Sequence, residues 1–207
     1  MMLVELTAPA LEALPVAGLR AHLRLGTGFD MAEDEAETAA LAGFLRAAIA
    51  TIEARTGKVL LARQFRLRLE DWRDPECQPL PLSPVRSVER VEIDDGTGEV
   101  TPVDPAGWQL CPDMQRPSLV PKGSAWLSPV PSAGFVTIMF SAGFGLSWDA
   151  VPVDLAQAVL LLAARYYEDR TFEGSQSAMP FGVSALIERW RAVRVLGGRG
   201  QSPRFRR

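Results

Sequence analysis

The residues able to do chemistry are few, and their spacing assembles no known reaction. His22 is the only histidine, set between Ala21 and Leu23 with no serine, cysteine or acid beside it. An imidazole acting as a general base needs a partner to orient it. None is near in sequence, so His22 reads as a structural or surface residue. Asp94 and Asp95 are adjacent, as are Glu168 and Asp169. Paired carboxylates can hold a cation or share a proton. The first pair opens Asp94-Asp95-Gly96-Thr97-Gly98, where aspartate is favoured because it bonds its own turn backbone. It lacks the length and spacing of a calcium loop. The second pair falls at the end of an apolar stretch. Cys77 and Cys111 are the only cysteines. With one histidine they are too few for a zinc site, and they read as two thiols in a reducing cytosol. Ser141-Ala142-Gly143-Phe144-Gly145 has no lysine and no helix directly after it, so it is no phosphate cradle. Gly26-Thr27-Gly28 fails the dinucleotide pattern. G-x-S-x-G, H-E-x-x-H and C-x-x-C do not occur. The chain is read as no enzyme, with no cofactor and no metal.

Charge says more. Seven arginines and one acid fall between Glu188 and Arg207, a net of +6, which leaves −9 on residues 1–187 of a chain whose formal charge is −3. An acidic body with a basic end implies an ionic contact made by the end. That contact has three readings: a merely solvated terminus, phosphate binding, or docking on an acidic protein. Phe205 among Arg204, Arg206 and Arg207 leans toward docking, because an aromatic anchor flanked by arginines is a hot-spot composition.

The elements that position these residues follow from periodicity. The chain has 207 residues, enough to bury a core. Met1 to Pro15 lacks the basic start and apolar run of a signal peptide. Leu155 to Ala164 is about half a membrane span, so no membrane contact is expected. Pro15 to Leu25 reads as a helix ended by Gly26 and Gly28. A longer helix follows over about 31–56, with Asp30 as N-cap and Glu33, Asp34, Glu35 and Glu37 at the positive end of its dipole. Leu41, Phe44, Leu45, Ala48, Ile49 and Ile52 form its apolar stripe, and Thr56-Gly57 stops it. Residues 63–145 read as short strands. Phe65, Leu67 and Leu69 alternate with Arg66, Arg68 and Glu70. Val85 to Ile93, Glu99 to Val103, Trp108 to Cys111, Ser118 to Val120 and Phe135 to Phe140 follow, with Pro79, Pro81 and Pro84 as breaks. A third helix over about 153–170 is apolar nearly all round, so it should be buried. A fourth spans about 184–196. The class is α+β: a helical bundle from both chain ends with an inserted antiparallel β module. One domain is expected over 1–197, and a flexible basic tail over 198–207.

Several segments occur in an order that resembles one family. They are Pro15-Val16-Ala17-Gly18-Leu19-Arg20, Ala54-Arg55-Thr56-Gly57, Gln64-Phe65-Arg66-Leu67, Pro79-Leu80-Pro81-Leu82-Ser83-Pro84, Val136-Thr137-Ile138, Ser141-Ala142-Gly143-Phe144-Gly145, Tyr166-Tyr167-Glu168-Asp169-Arg170 and Pro180-Phe181-Gly182-Val183. Together they resemble the head–tail connector (adaptor) proteins of long-tailed bacteriophages, prophages and phage-like gene transfer agents. The resemblance implies a ring of twelve copies beneath the portal protein, made in the bacterial cytoplasm and placed at the head–tail junction. It implies a stopper or tail-completion protein on the other side, and DNA passing through the channel without sequence-specific binding. Connectors of this kind grip the portal with their C-terminal segment, which assigns that role to Arg199, Arg204, Phe205, Arg206 and Arg207. The alternative is a nucleic-acid-binding protein that uses the same arginines.

Overall fold

The computed structural model describes residues 1–26, 31–169 and 179–191, with the backbone alone for 31–34. The class is mixed α+β, with four α-helices and antiparallel sheets among these residues. The chain forms two compact units. One comprises Pro9–Ala62 and Phe144–Arg191, the other Met1–Ala8 and Arg63–Gly143.

The first unit is helical: α1 (Val16–His22), α2 (Met31–Thr56), α3 (Val153–Glu168) and α4 (Phe181–Ile187). α2 buries Leu41, Ala42, Leu45, Ala48, Ile49 and Ile52, a stripe at spacings of three and four, against Leu155, Ala158, Val159, Leu162 and Ala163 of α3 in one core. Gly57, at φ 68°, ends α2 with its N–H bonded to the Glu53 carbonyl at 2.8 Å. Tyr166 and Tyr167 have a packing role. The Tyr166 hydroxyl lies 3.1 Å from Thr51 Oγ1, and Tyr167 meets Phe44 edge-on at 5.9 Å.

Three helical expectations need correction. α1 ends at His22, before either glycine. Arg24 takes the left-handed position, φ 56°, while the Arg24 and Leu25 N–H groups bond back to Ala21 and Arg20. That is a Schellman motif built on a non-glycine residue. An L-residue there carries a steric cost of roughly 1–2 kcal/mol, partly offset by its lower unfolded-state entropy. Arg24→Gly is therefore expected to raise stability by about 0.5–1 kcal/mol, read as a higher thermal midpoint; a lower midpoint would show that the Arg24 side chain contributes more than its backbone costs. α3 is not buried all round, since Val153 is 85% exposed and Gln157, Arg165 and Glu168 face solvent. The fourth helix starts at Phe181, behind Pro180 as N-cap, not at Ser184, and passes into a single 3-10 turn, Glu188–Trp190. Pro180 has no N–H to satisfy and a φ suited to a helix start. Residues 192–196 of the expected helix lie outside the described residues, as do Asp30 and Arg170.

The second unit holds eight strands in two sheets: β1 (Met2–Glu5), β2 (Arg63–Leu69), β3 (Gln78–Pro79), β4 (Val85–Asp94), β5 (Val100–Pro102), β6 (Trp108–Cys111), β7 (Ser118–Pro121) and β8 (Phe135–Ala142). The larger sheet runs β1-β2-β8-β4-β5 and the smaller β3-β7-β6, with antiparallel pairings throughout. β2 alternates buried and exposed at every residue, and β8 alternates in step. Their register sets Phe65 opposite Phe140, with rings stacked 5.7 Å apart. β1 was not foreseen; four residues carry too little pattern. Pro79, expected as a break, instead ends the two-residue β3, where it pairs with Ser118. The β4–β5 turn is held as its composition requires. Asp94 Oδ1 accepts from the Gly96 N–H, and Asp95 Oδ1 from the Thr97 N–H, each at 2.8 Å.

Candidate docking face

The residues singled out for chemistry do not converge. His22 is exposed at the last position of α1. Cys77 and Cys111 are both half-buried free thiols. Asp169 is engaged by Arg165, Nε to Oδ2 at 2.6 Å. Asp95 receives the Thr97 N–H and the Thr97 hydroxyl, and those bonds hold its carboxyl below the ordinary aspartate value, the backbone bond contributing most. A carboxyl lowered by folding stabilises the fold above its unfolded value, and that contribution is lost as pH falls through the lowered value. The Asp95 carboxyl carbon is thus expected to titrate at lower pH than a peptide aspartate in an NMR pH series. Thr97→Ala removes the hydroxyl bond and keeps the backbone one, so it should move the titration only part of the way back; a titration unchanged in this variant would refute the hydroxyl's share. Among the described residues, no group of three or more histidines, cysteines or acids is placed to hold a metal ion, and no helix is long and apolar enough to cross a membrane. The arginine cluster assigned to portal binding (Arg199, Arg204, Phe205, Arg206, Arg207) lies outside the described residues.

Asp154 forms a polar junction in the helical unit. It sits in the first turn of α3, where a negative charge favours the helix dipole. Its Oδ2 accepts from the Trp190 indole N–H at 2.7 Å and faces Arg189 Nε at 2.6 Å. Trp190 also meets Phe144 edge-on at 5.6 Å. The junction ties the 3-10 turn after α4 to the start of α3. Arg189 is 70% exposed, so the indole bond to a charged acceptor carries most of the energy.

The outward face of the five-stranded sheet carries a polar depression. Strand alternation turns Phe65, Leu67, Val136, Ile138 and Val91 inward and leaves the intervening residues outside. In register, Arg66 and Arg90 flank Met139, and Arg68 lies opposite Thr137 with Met2 on its other side. The Arg68 guanidinium stacks 3.2 Å from the Phe135 ring centroid. Arg90 pairs with Glu92 at 3.1 Å. Together these residues line a depression of about 250 Å³ that also takes in Asp94 and Val100. Sequence reasoning saw Arg66 and Arg68 only as the solvent half of an alternation. The available signal was arginine recurring where threonine or glutamate would serve a merely solvated face.

Comparison with known proteins places this architecture. No family model and no curated protein matches the chain. Solved structures do. A chain in the neck of an empty gene transfer agent particle, computed with C6 symmetry, is 58% identical over 97% of this chain and all of its own length, with a TM-score of 0.85. A chain in the virion of a native gene transfer agent particle is 55% identical over 96% of this chain and 99% of its own, with a TM-score of 0.81. A chain in the neck of the native particle, computed with C12 symmetry, is 52% identical over 97% of this chain and all of its own, with a TM-score of 0.80. Identity at this level, spread over nearly every residue of both units, leaves one assignment: the chain belongs to the head–tail connector (adaptor) proteins of phage-like particles, the family represented in the neck of gene transfer agents.

Proposed function

We propose that this protein is a structural adaptor that forms a ring of twelve copies beneath the portal of a phage-like particle. In this reading the ring joins the capsid to a stopper or tail-completion protein and surrounds the channel through which DNA passes. The carrying observation is the 58% identity, over 97% of the chain, to a protein in a gene transfer agent neck. Rotational symmetry in the neck structures supports a ring of copies. A cyclic ring larger than a dimer needs two different complementary surfaces on each copy. The −9 carried by residues 1–187 suits a channel in which DNA slides without adhering. The basic end, with Arg199, Arg204, Phe205, Arg206 and Arg207, is the segment proposed to grip the portal.

The test is co-sedimentation of the purified protein with portal rings, or with DNA-filled heads, from the same genome. Full-length chain is expected to bind. A chain ending at Gly197 is expected to fold with an unchanged thermal midpoint and to bind far more weakly. Equal binding by both would refute the portal assignment of the tail. Failure of both, with salt-sensitive binding to free DNA, would favour a nucleic-acid-binding role instead.

A further inference from the structure

We propose that the outward face of the β1-β2-β8-β4-β5 sheet docks an acidic segment of a partner polypeptide in the assembled neck, an inference that rests on the adaptor reading above. The composition of the face carries the first part of the argument. Arginine, methionine and aromatic residues are enriched at the centre of protein interfaces, where lysine and serine are depleted. Arg66, Arg68, Arg90, Met2, Met139 and Phe135 meet on this face, drawn together from four strands.

Charge carries the second part. Arg90 is neutralised by Glu92 at 3.1 Å. Among the described residues, Arg66 and Arg68 have no carboxylate partner. They lie two residues apart on β2 and point the same way, so their origins are about 7 Å apart. An extended polypeptide presents its alternate side chains at the same repeat, so carboxylates at positions i and i+2 can meet the two guanidiniums one to one. Each pairing has the planar geometry in which arginine grips a carboxylate with two hydrogen bonds. Arg68 is already held against Phe135, so it loses less side-chain freedom on binding.

The same lining selects protein over DNA. A phosphate backbone gains nothing from Met2, Val100, Phe135 and Met139, and it meets Glu92 and Asp94 in the same depression. A polypeptide can supply apolar side chains for the first group and carboxylates for the arginines. The acidic body of this protein repels an acidic segment elsewhere on its surface, so the arginine face is where such a segment can settle.

The test is site-specific photo-crosslinking in assembled particles. A photoreactive amino acid is placed at Thr137, in the floor of the depression, in the full-length chain. Particles are isolated and irradiated, and the crosslinked peptides are sequenced by mass spectrometry. The expected product is a peptide rich in aspartate or glutamate. Its yield should fall roughly tenfold or more with R66E/R68E, because removal of paired charges acts on dissociation, and should fall less with R66K/R68K, which keeps the charges but not the two-bond grip. Both arginines are exposed, so the reversed chain should still fold, its thermal midpoint lowered only by the lost Arg68–Phe135 contact. Where it fails to enter particles, R66Q/R68Q serves as the neutralising variant. Crosslinks to DNA alone, to a peptide without acids, or at a yield indifferent to Arg66 and Arg68 would overturn the inference while leaving the adaptor reading intact. Particles that contain none of the wild-type chain would remove both.

Discussion

Phe140→Ala is expected to destabilise the β unit by about 3–5 kcal/mol. Phe140 is completely buried, on β8, the strand bonded on one side to β2 and on the other to β4. Its ring stacks on Phe65 with an interplanar angle of 24°, and such a pair is worth about 0.5–1.5 kcal/mol beyond area burial. Truncation loses the transfer free energy of the ring and leaves a cavity between strands whose spacing is set by backbone hydrogen bonds, so collapse around it is limited. Against a total of about 5–15 kcal/mol for a typical domain, the loss is large. Urea denaturation followed by tryptophan fluorescence reads it, since Trp72 and Trp108 are both buried in this unit. Phe140→Leu should retain most of the stability. A loss below about 1 kcal/mol for the alanine variant would show that the site collapses freely and that the sheet is not organised around this pair.

Leu19→Ala is expected to cost about 2–5 kcal/mol and to act first on α1. This helix has seven residues, and Leu19 is its one buried side chain. Helices shorter than about 12 residues are marginal in water without packing, so α1 exists because Leu19 enters the core shared by α2 and α3. Its backbone bonds, Leu19 N–H to Pro15 and Leu23 N–H to Leu19, should lose protection in hydrogen exchange well before those of α3. Unchanged protection would mean that Arg20 holds the helix, through Thr38 Oγ1 at 3.1 Å and Glu37 at 3.4 Å.

The two variants separate what is local in this protein from what is not. The stripe Leu41 to Ile52 was legible because residues three and four apart lie on one face of any helix, whatever it packs against. Arg66 and Arg68 were legible as outward for the same kind of reason, since a strand sends neighbours to opposite faces. The turn at Asp94 to Gly98 was legible because aspartate and glycine act on backbone within a few residues. The family was legible through the order of segments such as Tyr166-Tyr167-Glu168-Asp169 and Pro180-Phe181-Gly182-Val183, a signal independent of any site.

The start of α4 was misplaced by three residues because Pro180 reads equally well as a break or as the beginning of a helix. The glycine stop of α1 was misplaced because Arg24 adopts a left-handed conformation for which its type gives no hint, and packing of the following Leu25 against the core is compatible with that turn. The burial of α3 was overstated because an apolar composition does not say how many faces are covered.

Local periodicity and composition by themselves determined the class, most helices and strands, and the outward placement of Arg66 and Arg68. They did so because side-chain direction and turn chemistry are set within a few residues. Only the tertiary structure decided that β8 lies between β2 and β4, that Met2–Glu5 completes the sheet, and that Arg66, Arg68, Arg90 and Phe135 share one face. Those juxtapositions join residues up to about eighty positions apart through antiparallel register, and no local rule chooses which strands pair.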